Sequence, residues 1–475
     1  LLSQLKRLGA DSLLYAFMNV GTKLIAFLML PIYTGYLTVA EYGVLDIMDR
    51  ITSMLIFLVI FGTDSALSYY YFDTKNEHKK LEYVRTVMYF RLFIVFILFM
   101  VAVVFGEWLA IEFFDNASYQ SLFYWAAGVL FFDTMVVVML MVFRFDFKTI
   151  RVVIFTVLKM LLIAVISYVI IRFFNRTPEG VLMGRMVSNA FVFFMLLFFG
   201  WKYFKPSFNM MTVKEILKYA TPLVPASLAF WIIANSNAFF IKYYGTLEDV
   251  GIYGAATKFA TIITLLTSGV QMAWRPYSMS IKDKEDSPLL FSKVYYLILL
   301  VGIFGVMAIA TVMPWLIKIL DPKYTEAYKY VALVSAATFL NFYYLIISVG
   351  LFIQKKTGII SYTFGIVGIV NIILNVTLIP PFGVWGAVAA YLISYLSAIT
   401  FIFKKSQKLY YVPVSYGKMS ILFLSMIISV VGIIYIQESS IHNLWIAGGW
   451  IFLIIMILIS RVDKDIRKKS IKESA

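Results

Sequence analysis

Apolar residues arrive along this chain in long blocks, as in Phe90 to Phe105 and Ile446 to Ile459, separated by short polar connections. A run near twenty apolar residues is what a hydrocarbon slab of about 30 Å demands of a helix. The pattern predicts spans at roughly 10–36, 44–72, 84–105, 119–143, 152–171, 180–201, 219–241, 250–281, 291–317, 328–353, 357–379, 384–403, 419–436 and 444–460. The predicted fold is therefore an all-α polytopic membrane protein of about fourteen transmembrane helices. The first, second, seventh and eighth spans are more polar than a lipid-facing helix needs, which suits helices lining a water-filled interior. The stretch from Thr221 through Pro222 and Pro225 to Ser227, followed by Asn235, Ser236 and Asn237, reads as an irregular polar helix at membrane depth. Such backbone is tolerated where it lines a cavity, and Pro31 is expected to bend the first span.

Composition agrees with the pattern. The 475 residues are 62% hydrophobic and 14% charged, against roughly 25% charged in a soluble domain. Cysteine is absent, so disulfides, thiolate chemistry and cysteine metal sites are excluded. The two histidines, His78 and His442, fall in connections, which argues against a histidine metal site. No cofactor is implied. The segment Leu1 to Ala10 is short, polar and leads straight into a span, unlike a cleavable signal. The formal charge of +15 points away from nucleic acid once its distribution is seen. The large majority of Lys and Arg in connections fall on alternate ones, while Thr38 to Gly43 and Gly106 to Ser118 carry acids and no base. The excess marks the cytoplasmic side, so both termini and the loop from Lys404 to Lys418 are expected there. The basic tail from Arg461 to Lys472 reads as a solvated end near anionic lipid.

A weak internal repeat accompanies the spans. Tyr36 to Arg50 lies over Tyr244 to Lys258, with Tyr36/Tyr244, Thr38/Thr246 and Gly43/Gly251 identical and Glu41/Asp249 and Arg50/Lys258 conservative. A second pair matches Pro178–Val181 with Pro381–Val384. Both fall at connections entering even-numbered spans six helices apart, which predicts parallel repeats related by an axis along the membrane normal. The expected division is an N-terminal lobe over 1–204, a C-terminal lobe over 205–405, and two further helices with the basic tail over 406–475.

Charges left within spans are the candidate chemistry. They are the cations Lys23, Arg50, Arg91, Lys159, Arg185, Lys258 and Arg275, and the acids Asp46, Asp49, Asp64 and Asp133. A charge in hydrocarbon costs at least about 2.5 kcal/mol, so each normally faces a cavity or a partner. Arg91, Arg185 and Arg275 lie near span ends, where the side chain can reach the interface. Arg50 has Asp46 one turn earlier in the favourable acid-first order, so it reads equally as a structural pair or a ligand contact. Lys23 and Lys258 have no carboxylate three or four residues away on their own helices, and at the positions of Asp46 and Asp49 the second repeat has Gly254 and Thr257. Lys258 lies about 12 Å from the external end of its span. Both lysines are candidates for meeting an anionic ligand in a cationic cavity, with Lys159 and Arg275 as lesser ones. Asp64, Asp133 and Asp49 are candidates for ion coupling, with an interhelical pair such as Asp64 with Arg91 as the structural alternative. Trp231, Tyr243 and Trp274 either stack on sugar or pack.

Three segments carry a resemblance: Leu37-Thr-Val-Ala-Glu41-Tyr42-Gly43-Val-Leu-Asp46, Glu248-Asp-Val-Gly251-Ile-Tyr253-Gly254, and Leu378-Ile-Pro380-Pro-Phe-Gly383-Val-Trp-Gly386-Ala387. In order and spacing the sequence resembles the polysaccharide transporter branch, the O-antigen-type flippases, of the multidrug/oligosaccharidyl-lipid/polysaccharide flippase superfamily. The resemblance implies two six-helix lobes around a central cavity lined by the first, second, seventh and eighth spans, plus two C-terminal helices. It implies a bacterial inner-membrane flippase that moves a polyprenyl-diphosphate-linked glycan between leaflets by alternating access for O-antigen, capsule or related polymers. Membrane lipid and polysaccharide assembly proteins are the partners it implies. Lys23, Arg50 and Lys258 lie on helices matching those whose cations meet the diphosphate in related flippases. Two alternatives are weighed against this. A drug or cation antiporter of the same superfamily needs embedded carboxylates, which the first, seventh and eighth spans lack. A membrane-embedded polysaccharide polymerase or ligase needs larger external loops and a His/Arg/carboxylate cluster, so an enzyme is not expected.

Overall fold

A computed structural model describes residues 2–205, 209–221, 224–439 and 442–467. Every regular element among them is helical. Eleven helices there are long and apolar enough to cross a membrane, and Val20–Tyr36 is a shorter apolar stretch of the first helix. The chain is a polytopic all-α membrane protein. It divides into two compact units, the first over Leu1–Trp231 with Thr246–Gly251, the second over Ile232–Gly245 with Ile252–Ala475.

In the first unit, α1 (Leu2–Tyr36) runs through Pro31 without ending, and the Thr34 hydroxyl donates to the Leu30 carbonyl at 2.9 Å beside it. The following helix α2 (Val39–Ile60) starts on a capping box. Thr38 N–H donates to the Glu41 carboxylate at 2.8 Å, and Glu41 N–H donates to the Thr38 hydroxyl at 3.2 Å. Two otherwise orphaned N–H groups are thereby satisfied. The single span expected over 44–72 is broken: Phe61 and Gly62 take left-handed φ of 44° and 69°, and α3 (Thr63–Asp73) begins anew. Gly62 suits that conformation because it has no Cβ, and one there would lie 2.8 Å from the Ala220 carbonyl oxygen. Next come α4 (Glu77–Phe114), α5 (Gln120–Phe145), α6 (Thr149–Phe173), α7 (Pro178–Gly200) and α8 (Met210–Ala220). Helices α5 and α7 pack together, α6 packs on α7 and α1 on α6. Buried Leu67, Val84, Val136, Met139, Val142 and Leu196 form the core between them. Outward residues such as Phe93, Phe96 and Val104 of α4 are exposed and apolar, the surface lipid requires.

The polar helix expected from Thr221 onward is α9 (Val224–Tyr244), while Pro222 lies outside the described residues. After it, Thr246 and Asp249 repeat the capping box of Thr38 and Glu41. Thr246 N–H donates to Asp249 at 2.9 Å and Asp249 N–H donates to the Thr246 hydroxyl at 3.1 Å, opening α10 (Leu247–Ala260). The glycines of the repeat also act alike. A Cβ on Gly43 would stand 2.0 Å from the Leu247 carbonyl oxygen, and one on Gly251 would stand 2.2 Å from that of Val39. Val39 and Leu247 are themselves equivalent in the repeat, so this contact inside the first unit is reciprocal. The eighth expected span, 250–281, falls within one apolar helical stretch, Leu247–Ile281, in which the single turn residue Thr261 stands between α10 and α11 (Ile262–Ile281). The Thr261 hydroxyl and N–H both donate to the Lys258 carbonyl, at 2.6 and 3.2 Å.

The second unit continues through α12 (Ser287–Leu316), α13 (Tyr328–Ile347), the short α14 (Val349–Ile353), α15 (Gly358–Phe382), α16 (Val384–Leu409), α17 (Tyr416–Glu438), α18 (Ile446–Ser460) and α19 (Val462–Arg467). The pairs α15 with α16, α13 with α16 and α12 with α13 pack most extensively. Helix α18 leans on α17 and leaves Ile451, Ile454, Leu458 and Ile459 exposed, a lipid-facing side. The basic tail beyond Arg467 lies outside the described residues.

Candidate functional site: the charges within the spans

Asp46, Asp49, Asp64 and Asp133 all belong to the first unit, and each holds a cation. Asp46 accepts from the Arg50 Nε at 2.6 Å with both side chains buried, the local pair that their spacing allowed. Asp49 receives the guanidinium of Arg185 on α7 in a two-pronged contact, whose second bond measures 3.3 Å. The Tyr33 ring of α1 lies beside this pair. Asp64, the second residue of α3, receives Arg91 of α4. Arg91 is fully buried and also donates to the Thr63 hydroxyl from Nε at 3.0 Å and from Nη2 at 2.6 Å. Asp133 of α5 accepts from Lys159 of α6 at 2.7 Å.

These contacts revise part of the sequence reading. Lys159 is not an unpaired cation, because Asp133 reaches it from the neighbouring helix. Asp133 thus has a base on α6 rather than on its own helix, and Asp64 takes Arg91 of α4, the interhelical alternative weighed from the sequence. A buried carboxylate costs several kcal/mol to desolvate, and an opposite charge at hydrogen-bond distance offsets that. Such a pair also ties two helices at a fixed register.

The remaining three cations of the sequence reading lie on α1, α10 and α11. Lys23 is exposed on the middle of α1. Arg275 of α11 places its guanidinium 4.3 Å above the Phe352 ring, a cation–π contact. Lys258 is half-buried in the last turn of α10, where a positive charge also suits the helix dipole. Among the described residues no carboxylate lies within ion-pair distance of it.

The second unit holds a polar cluster that sequence reading did not assemble. Asn237 of α9 accepts from Asn375 at 2.8 Å and from Asn371 at 3.4 Å, and donates to the Tyr253 hydroxyl at 3.1 Å. Asn371 donates to Ser394 of α16 at 3.1 Å and accepts from Ser236 at 3.0 Å. All of these side chains are buried. Ser236 and Asn237, read from sequence as cavity-lining, instead join α9, α10, α15 and α16 within the second unit. The signal available was Asn371 and Asn375, one turn apart in an otherwise apolar helix. Of the three aromatics weighed for sugar stacking, Trp231 is buried and donates to Ser53 at 2.8 Å. Trp274 is buried against Phe291, and Tyr243 is exposed.

Residues 8–282 match the family described as Polysaccharide biosynthesis protein. The chain belongs to this family. No curated protein matches it significantly. Among solved structures, the chain is similar to one titled Lipid II flippase MurJ, inward closed conformation, with 14% identity and a TM-score of 0.72. That match covers 94% of this chain and 98% of the other. It is also similar to an inward-facing multidrug resistance MATE family transporter of the MOP superfamily, with 14% identity and a TM-score of 0.53. Here 84% of this chain and 96% of the other are covered. At such identity the likeness is one of fold, and it extends over nearly the whole chain. The family match covers the first two of the three segments that carried the resemblance in sequence.

Proposed function

We propose that this protein is a flippase that carries a polyprenyl-diphosphate-linked oligosaccharide from the inner to the outer leaflet of the cytoplasmic membrane by alternating access, for the assembly of a surface polysaccharide. Membership of the polysaccharide biosynthesis family and the flippase and transporter fold support the class. The observation that carries the substrate's charge is the pairing of the span acids. Asp46, Asp49, Asp64 and Asp133 are each neutralised by a base, whereas Lys258 has no carboxylate within ion-pair distance among the described residues. A drug or cation antiporter needs a carboxylate available to its cargo, and here all four are engaged. A surplus of positive charge suits a diphosphate, which cannot cross hydrocarbon bare.

In this reading Lys23 and Lys258 meet the diphosphate, Arg275 is a lesser contact, and Arg50 is held first by Asp46. The polyprenyl tail stays in lipid while the glycan hydroxyls stay hydrated. Asp49, Asp64 and Asp133 then act as interhelical ties, and ion coupling through them requires that a tie open during the cycle.

The test is surface-polymer export in a strain depending on this protein, read together with the membrane level of each variant. Lys258→Ala is expected to abolish export at normal protein level, because it breaks no pair. Full export by that variant overturns the anionic-cargo reading.

A further inference from the structure

The connection between α16 and α17 builds a second cationic feature, far along the chain from the charges above. Lys404, Lys405 and Lys408, with Phe401, Gln407 and Tyr416, line a pocket of about 300 Å³ at the C-terminal end of α16. Tyr416 also lines a separate apolar groove of about 250 Å³ walled by α12, α13, α16 and α17. On α16 the groove is lined from Phe403 back to Leu396, and on α17 from Met419 to Leu424. At 1.5 Å per residue this reaches about 10 Å into the membrane. One ring thus joins a basic mouth to an apolar trough.

The mouth is held rigidly. Gln407 accepts from Val412 N–H at 2.7 Å and donates to the Val412 carbonyl at 2.9 Å, closing the turn. Ser415 N–H donates to the Tyr296 hydroxyl at 2.8 Å, fixing the start of α17, and Tyr416 packs on Phe403 at 4.8 Å between centroids. The charges differ from those of an ordinary basic loop. Lys418 is neutralised by Asp465 at 2.6 Å. Among the described residues, Lys404, Lys405 and Lys408 have no carboxylate within ion-pair distance. These three lie on the side that the Lys and Arg excess marks as cytoplasmic, where anionic lipid headgroups collect.

We propose that this is a binding site for an anionic phospholipid, with the phosphodiester between Lys404, Lys405 and Lys408 and one acyl chain in the groove between α16 and α17. Charge complementarity selects that occupant. In a zwitterionic lipid the headgroup's own cation offsets the attraction of its phosphodiester to three lysines, and a free phosphate gains nothing from the groove. The site does not depend on the flippase reading.

The experiment titrates purified full-length protein in a neutral detergent with phosphatidylglycerol or phosphatidylcholine of identical chains, reading bound lipid by native mass spectrometry. Three lysines, each worth roughly fivefold near a surface, give a preference for phosphatidylglycerol of up to about a hundredfold. K404Q/K405Q/K408Q is expected to reduce it to within about threefold, and the triple Arg variant is expected to keep it. Ser420→Phe, which fills the groove without touching a lysine, is expected to weaken retention of phosphatidylglycerol about tenfold. An unchanged preference in the triple Gln variant overturns the site. So does unchanged retention with Ser420→Phe, which reduces it to a basic surface. Displacement of the lipid by millimolar inorganic phosphate or by an acidic peptide shows an anion or protein site and also overturns it.

Discussion

The reciprocal glycine contact allows a perturbation whose outcome is set by geometry. Alanine at position 43 would place its Cβ 2.0 Å from a backbone oxygen, and alanine at 251 would place its own at 2.2 Å from another. Side-chain rotation cannot relieve either, because both obstacles are carbonyls. To reach even 3.0 Å, the start of α2 and the segment Thr246–Gly251 must part by 1.0 Å for Gly43→Ala and by 0.8 Å for Gly251→Ala. Overpacking of this kind costs about 1–3 kcal/mol. Both substitutions demand the same separation of the same two segments. Once one variant has parted them, the second Cβ finds most of its space already made. The double variant is therefore expected to cost little more than the worse single one, with a coupling of about 1 kcal/mol or more. Independent sites add to within about 0.3–0.5 kcal/mol. Unfolding of the four proteins by SDS in mixed micelles, followed by tryptophan fluorescence, measures the cycle. Additive costs would refute the shared displacement, and two neutral single variants would refute the close crossing itself.

Two further outcomes follow from the charged groups. Arg91→Met strands Asp64 at the break between α2 and α3, while the Thr63 hydroxyl keeps its bond to the Ile60 carbonyl. Breaking a buried pair costs about 3–5 kcal/mol, and Asp64, at 36% exposure, lowers that to about 2 kcal/mol. Adding Asp64→Asn should restore part of the loss in the same unfolding assay, and no restoration would show that the pair is not the cause. The second concerns Asp146, in the turn between α5 and α6. Burial raises its carboxyl, but hydrogen bonds from Lys148 at 2.7 Å and Tyr71 at 2.8 Å, with the charges of Lys148 and Lys202, hold it below the ordinary range. A carboxyl lowered on folding contributes stability that is complete above its unfolded value of about 4 and disappears as pH falls through the folded one. Asp146→Asn should thus lower the melting temperature at pH 7 and lessen the further loss between pH 5 and pH 3. A parallel pH profile in the variant would assign the acid sensitivity elsewhere.

What could be seen in the sequence was local. Spans, capping boxes and the Asp46–Arg50 pair all depend on residues within one or two turns. The break at Gly62 was missed within the expected span 44–72, although a glycine followed by Thr63 and Asp64 has the form of a helix stop and a new start. Asp64–Arg91 was raised only as an alternative, and Asp133–Lys159 and Asp49–Arg185 were not seen, because each of the three depends on the rotation and height of one helix against another. Hydrophobic periodicity fixes neither for helices apolar on most faces. The Asn237, Asn371 and Asn375 cluster was hidden for the same reason. The repeat of Tyr36–Arg50 in Tyr244–Lys258 was visible, yet its shared residues proved to be caps and a close crossing. Arg50 and Lys258, its one equivalent pair of cations, differ in whether an acid accompanies them.

That difference has an electrical consequence. A transmembrane potential of 100 mV does about 2.3 kcal/mol of work on an elementary charge carried fully across, and none on a charge that travels with its counterion. Asp46–Arg50, Asp49–Arg185, Asp64–Arg91 and Asp133–Lys159 are neutral dipoles whatever displacement their helices make together. Lys258, with no carboxylate beside it among the described residues, is a net charge two residues before the end of α10 at Ala260. A shift of that turn through a tenth of the field would exchange about 0.2 kcal/mol with a 100 mV potential, whereas a pair moving together would exchange none.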